Sequence, residues 1–382
     1  MLRKIFKLLI LYLSCLFPRS SDIYVFGAWF GNKFLDNTKY LYLYFEKKVP
    51  GKIIWITKNK KILIEMKKDG HNVFMHNSIG GIWYQLRAKY FFICSGYQDV
   101  SEELTGNAIT INLWHGIPLK KIMYDDSITY QLNTTCNLLK QSLRRFPKRK
   151  NYIISTSPVY NKIFQSAFRK DSNHIVEIGY PRNDILLSES IGELKEKYMD
   201  KTLIVYMPTH RKEGKQKIDC SLIFDLNRLD QFCEKNNSVF IIKKHYYHEN
   251  EPKVKGYKNI VDITNLNIDP QQLLLSTDIL ISDYSGSYID YLLLNRPILF
   301  YNFDFDDYKA TDRDMYFDYQ DVTPGKKIQS YTQLEESLFF LLQGNDEWLE
   351  ERKRVTNIFF GRLAQSQVCP TIYEMIKIGR FI

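Results

Sequence analysis

Residues 278–301 read DILISDYSGSYIDYLLLNRPILFY, and this stretch decides the fold. The apolar run 278–281 predicts a strand, and a polar knot follows at Ser282, Asp283, Tyr284, Ser285, Gly286 and Ser287. A helical pattern covers about 288–294, and 297–301 reads as a second short buried strand. Strand, tight turn, helix and strand make a βαβ unit, whose strands are expected to run parallel. The knot then falls at a strand's carboxyl end and a helix's amino end, where unpaired N–H groups favour a phosphate. The same residues also fit a capping box from Ser287 to Asp290, which needs no ligand.

Outward from this unit, strand and helix alternate along the chain, the mark of a doubly wound sheet. Strands are expected at 22–26, 52–57, 90–95, 108–113, 152–155, 202–206, 238–242 and 259–262. Helices are expected from Asp36, with Asp36 and Asn37 as caps, to about 47, from Pro158 to about 168, and over 222–235. Polar clusters stand at the strand ends: His115 after the fourth, His210 and Arg211 after the sixth, Lys243, Lys244 and His245 after the seventh. In a parallel sheet these gather along one rim, where open α/β folds bind ligands. A loop bounded by Gly27 and Gly31 lacks the GxGxxG spacing, so it carries no nucleotide fingerprint.

A chain of 382 residues exceeds one ordinary core, which points to two domains. The expected division is a terminal helix at 1–20, an amino-terminal lobe at 21–190 and a carboxyl-terminal lobe at 191–382. The net charge of +10 suits an anionic partner. No zinc-finger, RNA-binding or basic heptad pattern is present, so nucleic acid ranks behind a membrane surface or a phosphate-bearing substrate. The 27 tyrosines and 24 phenylalanines suit a surface facing lipid or a polyol, or a core rich in aromatics. Six cysteines without a CxxC pair read as reduced thiols. The start, MLRKIFKLLILYLSCLFPRSS, has an apolar run of about ten residues where a bilayer span needs about 20. It reads as a helix lying on the membrane, with Arg3, Lys4, Lys7 and Arg19 toward anionic headgroups; a core helix is the alternative.

Five motifs in order carry a resemblance: WHGIPLK (114–120), GYPRND (179–184), MPTHR (207–211), KKH (243–245) and SDYSGSYID (282–290). With these, the chain resembles the CDP-glycerol glycerophosphotransferases that build teichoic acids and related capsular polymers. The resemblance implies a GT-B-like α/β fold, two Rossmann-like lobes facing a central cleft, with a donor lobe at 191–382 and an acceptor lobe before it. It implies transfer of glycerol phosphate from CDP-glycerol to a hydroxyl of a polyprenyl-diphosphate-linked acceptor, releasing CMP at the cytoplasmic face of the membrane. His115 matches the family's general base, and His245, with Lys243 and Lys244, is implied to offset charge on the pyrophosphate. Trp114, Gly116, Ile117, Pro118, Arg182, Pro208, Thr209, Arg211, Ser285, Gly286 and Asp290 match donor-binding positions. No cofactor or metal is implied.

Two departures stand out: Tyr246 replaces a usual proline, and Gly286 replaces the second serine of SDYSS. Both suit a different polyol donor, CDP-ribitol. A GT-B sugar transferase and a non-catalytic partner in capsule assembly are the competing readings. A metal held by His245 and His248 lacks a third ligand, and Asp304, Asp306 and Asp307 read as a solvated acidic loop after the last strand. With no large extra domain expected, a primase and a short-chain or capsular polymerase are both open.

Overall fold

The computed structural model describes residues 2–126, 150–188, 190–209, 211, 218–244, 253–311 and 314–381. The strands are β1 (Ser20–Phe26), β2 (Lys52–Thr57), β3 (Val73–Met75), β4 (Ala88–Ile93), β5 (Ile109–Asn112), β6 (Lys150–Ser155) and β7 (Ile175–Glu177), then β8 (Thr202–Tyr206), β9 (Ser238–Ile242), β10 (Ile260–Asp262), β11 (Ile279–Ser282), β12 (Ile298–Tyr301) and β13 (Lys326–Ile328). They form two parallel sheets, ordered β3-β2-β1-β4-β5-β6-β7 and β10-β9-β8-β11-β12-β13. Both orders turn back beside their first strand, so β1/β4 and β8/β11 are topological switch points. The expected α/β class with two doubly wound units is found. Three short strands, β3, β7 and β13, were not expected, because three residues carry too little periodicity to separate from a loop.

The chain divides into two compact units: residues 1–116, 123–184 and 366–382 in the first, 117–122 and 185–365 in the second. In the first, alternation along β1 sends Ile23 and Val25 to an aliphatic cluster with Ile54, Ile56, Phe91 and Ile93. Tyr24 and Phe26 face the other way into an aromatic layer, where Phe26 lies 4.7 Å from Phe92 and 5.5 Å from Tyr42. Many of the aromatics therefore serve the core. The helix Val368–Lys377 returns to this unit, its first N–H groups at Val368 and Cys369 donating to Asp184 at 2.7 and 2.8 Å.

In the second unit Leu203 and Val205 pack with Val239, Ile241 and Leu273 on one face of the sheet. Ile204 and Tyr206 pack with Phe240, Ile242, Ile279, Ile281 and Leu299 on the other. The helix expected over 222–235 is broken in two, Cys220–Ile223 and Leu226–Lys235. The second begins where the Asp225 carboxylate accepts the Arg228 N–H at 3.1 Å.

At the amino end, the helix Leu2–Ser14 buries Leu11 and Ser14. The Ser14 hydroxyl accepts the Gly106 N–H at 3.0 Å. Ile5, Phe6, Leu9, Tyr12, Leu13, Leu16 and Phe17 stay exposed. Among the described residues, no helix is long and apolar enough to cross a membrane. Arg19 corrects an expectation. Its guanidinium donates inward to the carbonyls of Gln85 (2.7 Å), Ala88 (3.2 Å), Ser14 (3.3 Å), Leu104 (3.0 Å) and Gly106. Five carbonyl acceptors hold it more firmly than a headgroup at the water boundary would. Lys7, also expected at headgroups, pairs with Glu103 at 3.2 Å on the surface.

Replacing Arg19 with alanine removes a donor from each of these carbonyls and is expected to cost about 3 kcal/mol in urea unfolding. Lysine, with a point charge in place of a planar fork, restores only part of it. An R19A protein as stable as wild type would contradict this role.

Candidate active site

Each unit carries part of the predicted site at the carboxyl ends of its strands. In the first, Leu113 and Trp114 follow β5, and Trp114 takes a left-handed φ of 54°. Three side chains shape this turn. The Asn112 carboxamide oxygen accepts the Trp114 N–H at 3.0 Å. The Asn37 amide donates to the carbonyls of Leu113 (3.1 Å) and Trp114 (2.9 Å). Arg182 Nη1 donates to the His115 carbonyl at 3.0 Å and pairs with Asp36 at 2.8 Å. Asp36 and Asn37, expected as a helix cap, are thus committed to the turn; the cap position of the helix Asp36–Lys48 is Leu35. Gly116, with φ of 139°, passes so close to Arg182 that a Cβ would sit 2.9 Å from its guanidinium.

His115 lies between the rings of Trp114 and Trp29, with centroids 4.1 and 5.5 Å away. Its Nδ1 is 3.1 Å from the Cys94 carbonyl. A carbonyl only accepts, so Nδ1 carries the proton and Nε2 presents a lone pair. Burial lowers the imidazole pKa below 6.5, against the opposing pull of Asp36 and the Cys94 carbonyl. Behind it, the buried Asp99 carboxylate accepts N–H bonds from Phe30 (2.7 Å), Cys94 (2.8 Å) and Ser95 (2.7 Å). Burial raises its pKa to about 6, against those same bonds.

In the second unit the hub is Asp283, fully buried after β11. It accepts the Thr209 N–H at 2.9 Å, the Thr209 hydroxyl at 2.6 Å and the Tyr284 N–H at 2.6 Å. It also pairs with Arg211 at 2.9 Å. Arg211 is enclosed as well, with its Nε 2.6 Å from Asp304 and its guanidinium 4.9 Å from the Tyr284 ring centroid. Burial opposes its charge, but Asp283 and Asp304 outweigh that and raise its pKa. Asp304 therefore belongs to an ion pair with the buried Arg211 and not to a solvated loop; Asp306 and Asp307 open the helix Phe305–Thr311, and β13 still follows.

The Ser282–Ser287 turn keeps its hydroxyls local, with Ser285 Oγ 2.9 Å from Ser287 Oγ. The helix Ser287–Tyr291 starts after Gly286, so no capping box forms; Asp290 is buried and accepts from Gln271 at 2.9 Å. A Cβ on Gly286 would lie 3.3 Å from the Ile117 carbonyl. Ile117 and Pro118 belong to this second unit, as does Lys120, which bridges to Met315. Pro208 is buried beside Thr209. Lys243 points its ammonium at the carbonyls of Ile263, Thr264 and Leu266 (2.9 Å for the last), and Lys244 at Ile218 (3.4 Å). Both lysines thus brace the end of β9. His210, His245, Tyr246 and His248 lie outside the described residues, as does most of the basic stretch before Lys150.

The structure therefore brings Trp114, His115, Gly116 and Arg182 together in one unit, and Pro208, Thr209, Arg211, Ser285 and Gly286 around Asp283 in the other. Sequence reasoning missed Asp36, Asn37, Asp99 and Asp283 as site builders. Asp283 stood inside a quoted motif; Asp99, in a loop after an apolar strand, gave no signal beyond its position. Among the described residues, no three His, Cys, Asp or Glu side chains cluster as metal ligands.

Asp283→Ala removes a buried partner of Arg211 and is expected to cost about 3–5 kcal/mol of stability in denaturant unfolding. Unchanged stability would show that the hub does not hold these loops.

Likeness to known proteins runs over nearly the whole chain. The family model described as CDP-glycerol:poly(glycerophosphate) glycerophosphotransferase matches residues 10–376. A teichoic acid poly(glycerol phosphate) polymerase of Bacillus spizizenii is 30% identical over 339 residues, covering 85% of this chain and 84% of its own length. A teichoic acid glycerol-phosphate transferase of Staphylococcus aureus is 29% identical over 382 residues, covering 94% of each. The solved structure of the wall teichoic acid polymerase TagF superposes with a TM-score of 0.77 at 26% identity, covering 98% of this chain and 94% of that one. The likeness runs through both sheets and supports the GT-B-like class. The chain belongs to the CDP-glycerol:poly(glycerophosphate) glycerophosphotransferase family and is an enzyme of that class.

Proposed function

We propose that this enzyme transfers glycerol phosphate from CDP-glycerol to a hydroxyl of a polyprenyl-diphosphate-linked acceptor, in teichoic acid or capsular polymer synthesis. The observation that carries the reading is the His115 imidazole, with Nδ1 tied to the Cys94 carbonyl and Nε2 left as a base. An alcohol is a poor nucleophile while it keeps its proton. Nε2 takes that proton as the oxygen attacks the β-phosphorus; the new P–O bond forms as the bond to the CMP phosphate breaks. The donor is held by the second unit, at Pro208, Thr209, Ser285 and Gly286, with Arg211 and Asp290 stiffening the loops beneath. Trp114, Gly116, Ile117 and Pro118 shape the segment around the base, and Arg182 serves the donor phosphates while holding the His115 carbonyl. Lys243 and Lys244 brace the end of β9, next in sequence to His245, the group assigned to charge on the departing CMP.

Gly286 favours one variant of this reading. A serine there would add an oxygen near the Ile117 carbonyl. Glycine leaves that space open to a longer polyol, so CDP-ribitol is the second donor to try. The enzyme works at the cytoplasmic face of the membrane, where the exposed side chains Ile5, Phe6, Leu9 and Leu13 of the amino-terminal helix enter the lipid boundary.

Four measurements test this. His115→Ala is expected to lower kcat by about 10²- to 10⁴-fold while the fold and the KM for CDP-glycerol persist. Because the neutral imidazole is the base and its pKa lies below 6.5, wild-type activity should fall as pH drops through that lower value and hold above it. CDP-glycerol or CDP-ribitol, and not UDP-sugars, should raise the melting temperature; protection by UDP-sugars alone would favour a sugar transferase. Sedimentation with phosphatidylglycerol vesicles should capture the wild type and lose Leu9→Glu; equal capture would move membrane binding elsewhere.

A further inference from the structure

We propose that Asp99 is a positioning residue for the reaction, setting from two sides the backbone that orients the His115 ring. The proposal rests on the reading of His115 as the base.

Asp99 follows β4, and its two carboxylate oxygens serve different loops. Oδ2 takes the N–H groups of Cys94 and Ser95, at 2.8 and 2.7 Å, and so fixes the peptide whose carbonyl meets His115 Nδ1 at 3.1 Å. Oδ1 takes the Phe30 N–H at 2.7 Å. Trp29 and Phe30 both sit in the left-handed region, at φ of 48° and 59°, an unusual pair for side-chain-bearing residues. That turn is what lays the Trp29 ring against His115. One carboxylate thereby sets both the hydrogen-bond acceptor and one wall of the imidazole.

The chain also passes close to the backbone of this residue. A Cβ on Gly27 would fall 2.6 Å from the Asp99 carbonyl oxygen, and one on Gly31 would fall 3.3 Å from it. Gly27 of the loop that fails as a nucleotide fingerprint is thus explained by close approach to the Asp99 backbone, and Gly31 by its φ of 82° and by Lys58, whose side chain a Cβ would meet at 2.8 Å. The residue type matters as much as the place. Three N–H donors converge on the carboxylate, and a carboxylate only accepts. Asparagine would turn its own N–H₂ toward at least one of them, so it can satisfy one loop and not both. A misplacement of about 1 Å at a reacting group costs on the order of 10²-fold in rate.

The test compares Asp99→Asn with His115→Ala in the full-length enzyme, using CDP-glycerol turnover and ¹⁵N NMR of the histidine rings. Asp99→Asn is expected to lower kcat by about 10²-fold with the KM for CDP-glycerol unchanged, and to turn a single Nδ1–H tautomer of His115 into a mixture. A tie that merely stabilised the fold would lower the melting temperature and leave the tautomer of folded molecules alone. That result, or full kcat in Asp99→Asn, overturns the proposal. If Asp99→Asn does not fold, Asp99→Glu keeps the acceptors on a longer arm. It should retain the tautomer yet lose kcat, and wild-type kcat in that variant overturns the proposal. A wild-type ring found as Nε2–H does so as well. Activity surviving in His115→Ala removes the base reading itself, whereas an inactive His115→Ala beside a fully active Asp99→Asn removes only the role of Asp99.

Discussion

Each sheet is tied at its switch point by one buried carboxylate that accepts backbone N–H groups from the loops after two neighbouring strands. In the first unit Asp99 joins the loops after β1 and β4; in the second, Asp283 joins the loops after β8 and β11. Parallel strands deliver their carboxyl ends to a common rim, but they do not decide the shape of the loops there. A carboxylate out of water is costly unless hydrogen bonds surround it, and these two are surrounded. The loops are therefore fixed before a substrate arrives, which suits the transfer proposed above.

The rest of the chemistry hangs on these two ties. His115 owes its tautomer to a carbonyl that Asp99 fixes, and its depressed pKa to burial between two tryptophans. Thr209 owes its place to Asp283, and Arg211, enclosed by Asp283 and Asp304 with Tyr284 and Tyr308 beside it, donates to the Thr209 carbonyl. Of the cationic side chains expected at the donor, Arg211, Lys243 and Lys244 brace backbone and carboxylates. Cations that build a site and cations that touch its ligand look alike in a sequence.

That is why legibility was uneven. Long apolar strands such as β2, β8 and β9 were read to the residue, because buried parallel strands are continuous runs with polar ends. That His115, Thr209 and Ser285 follow strand ends was legible because they stand in motifs right after apolar runs. Asp36, Asn37 and Arg19 were misassigned, since a cap and a surface cation are the local explanations, and their partners lie 76, 77 and 87 residues away along the chain for the pairs Asn37–Leu113, Asn37–Trp114 and Arg19–Gly106. The Ser287–Asp290 capping box failed for the same reason: Gln271, packed beneath, draws Asp290 inward. Pattern reports periodicity and neighbours, whereas these side chains answer to partners that only the fold supplies.

The central claim is that the donor sits on the loops at the second sheet's switch point. Amide hydrogen exchange of the whole enzyme, with and without CDP-glycerol, addresses it directly. Slowed exchange should appear in peptides holding Met207 to Thr209 and Ser282 to Ser287. Slowing confined to the opposite, amino-terminal ends of the strands, with those two peptides unchanged, would contradict it.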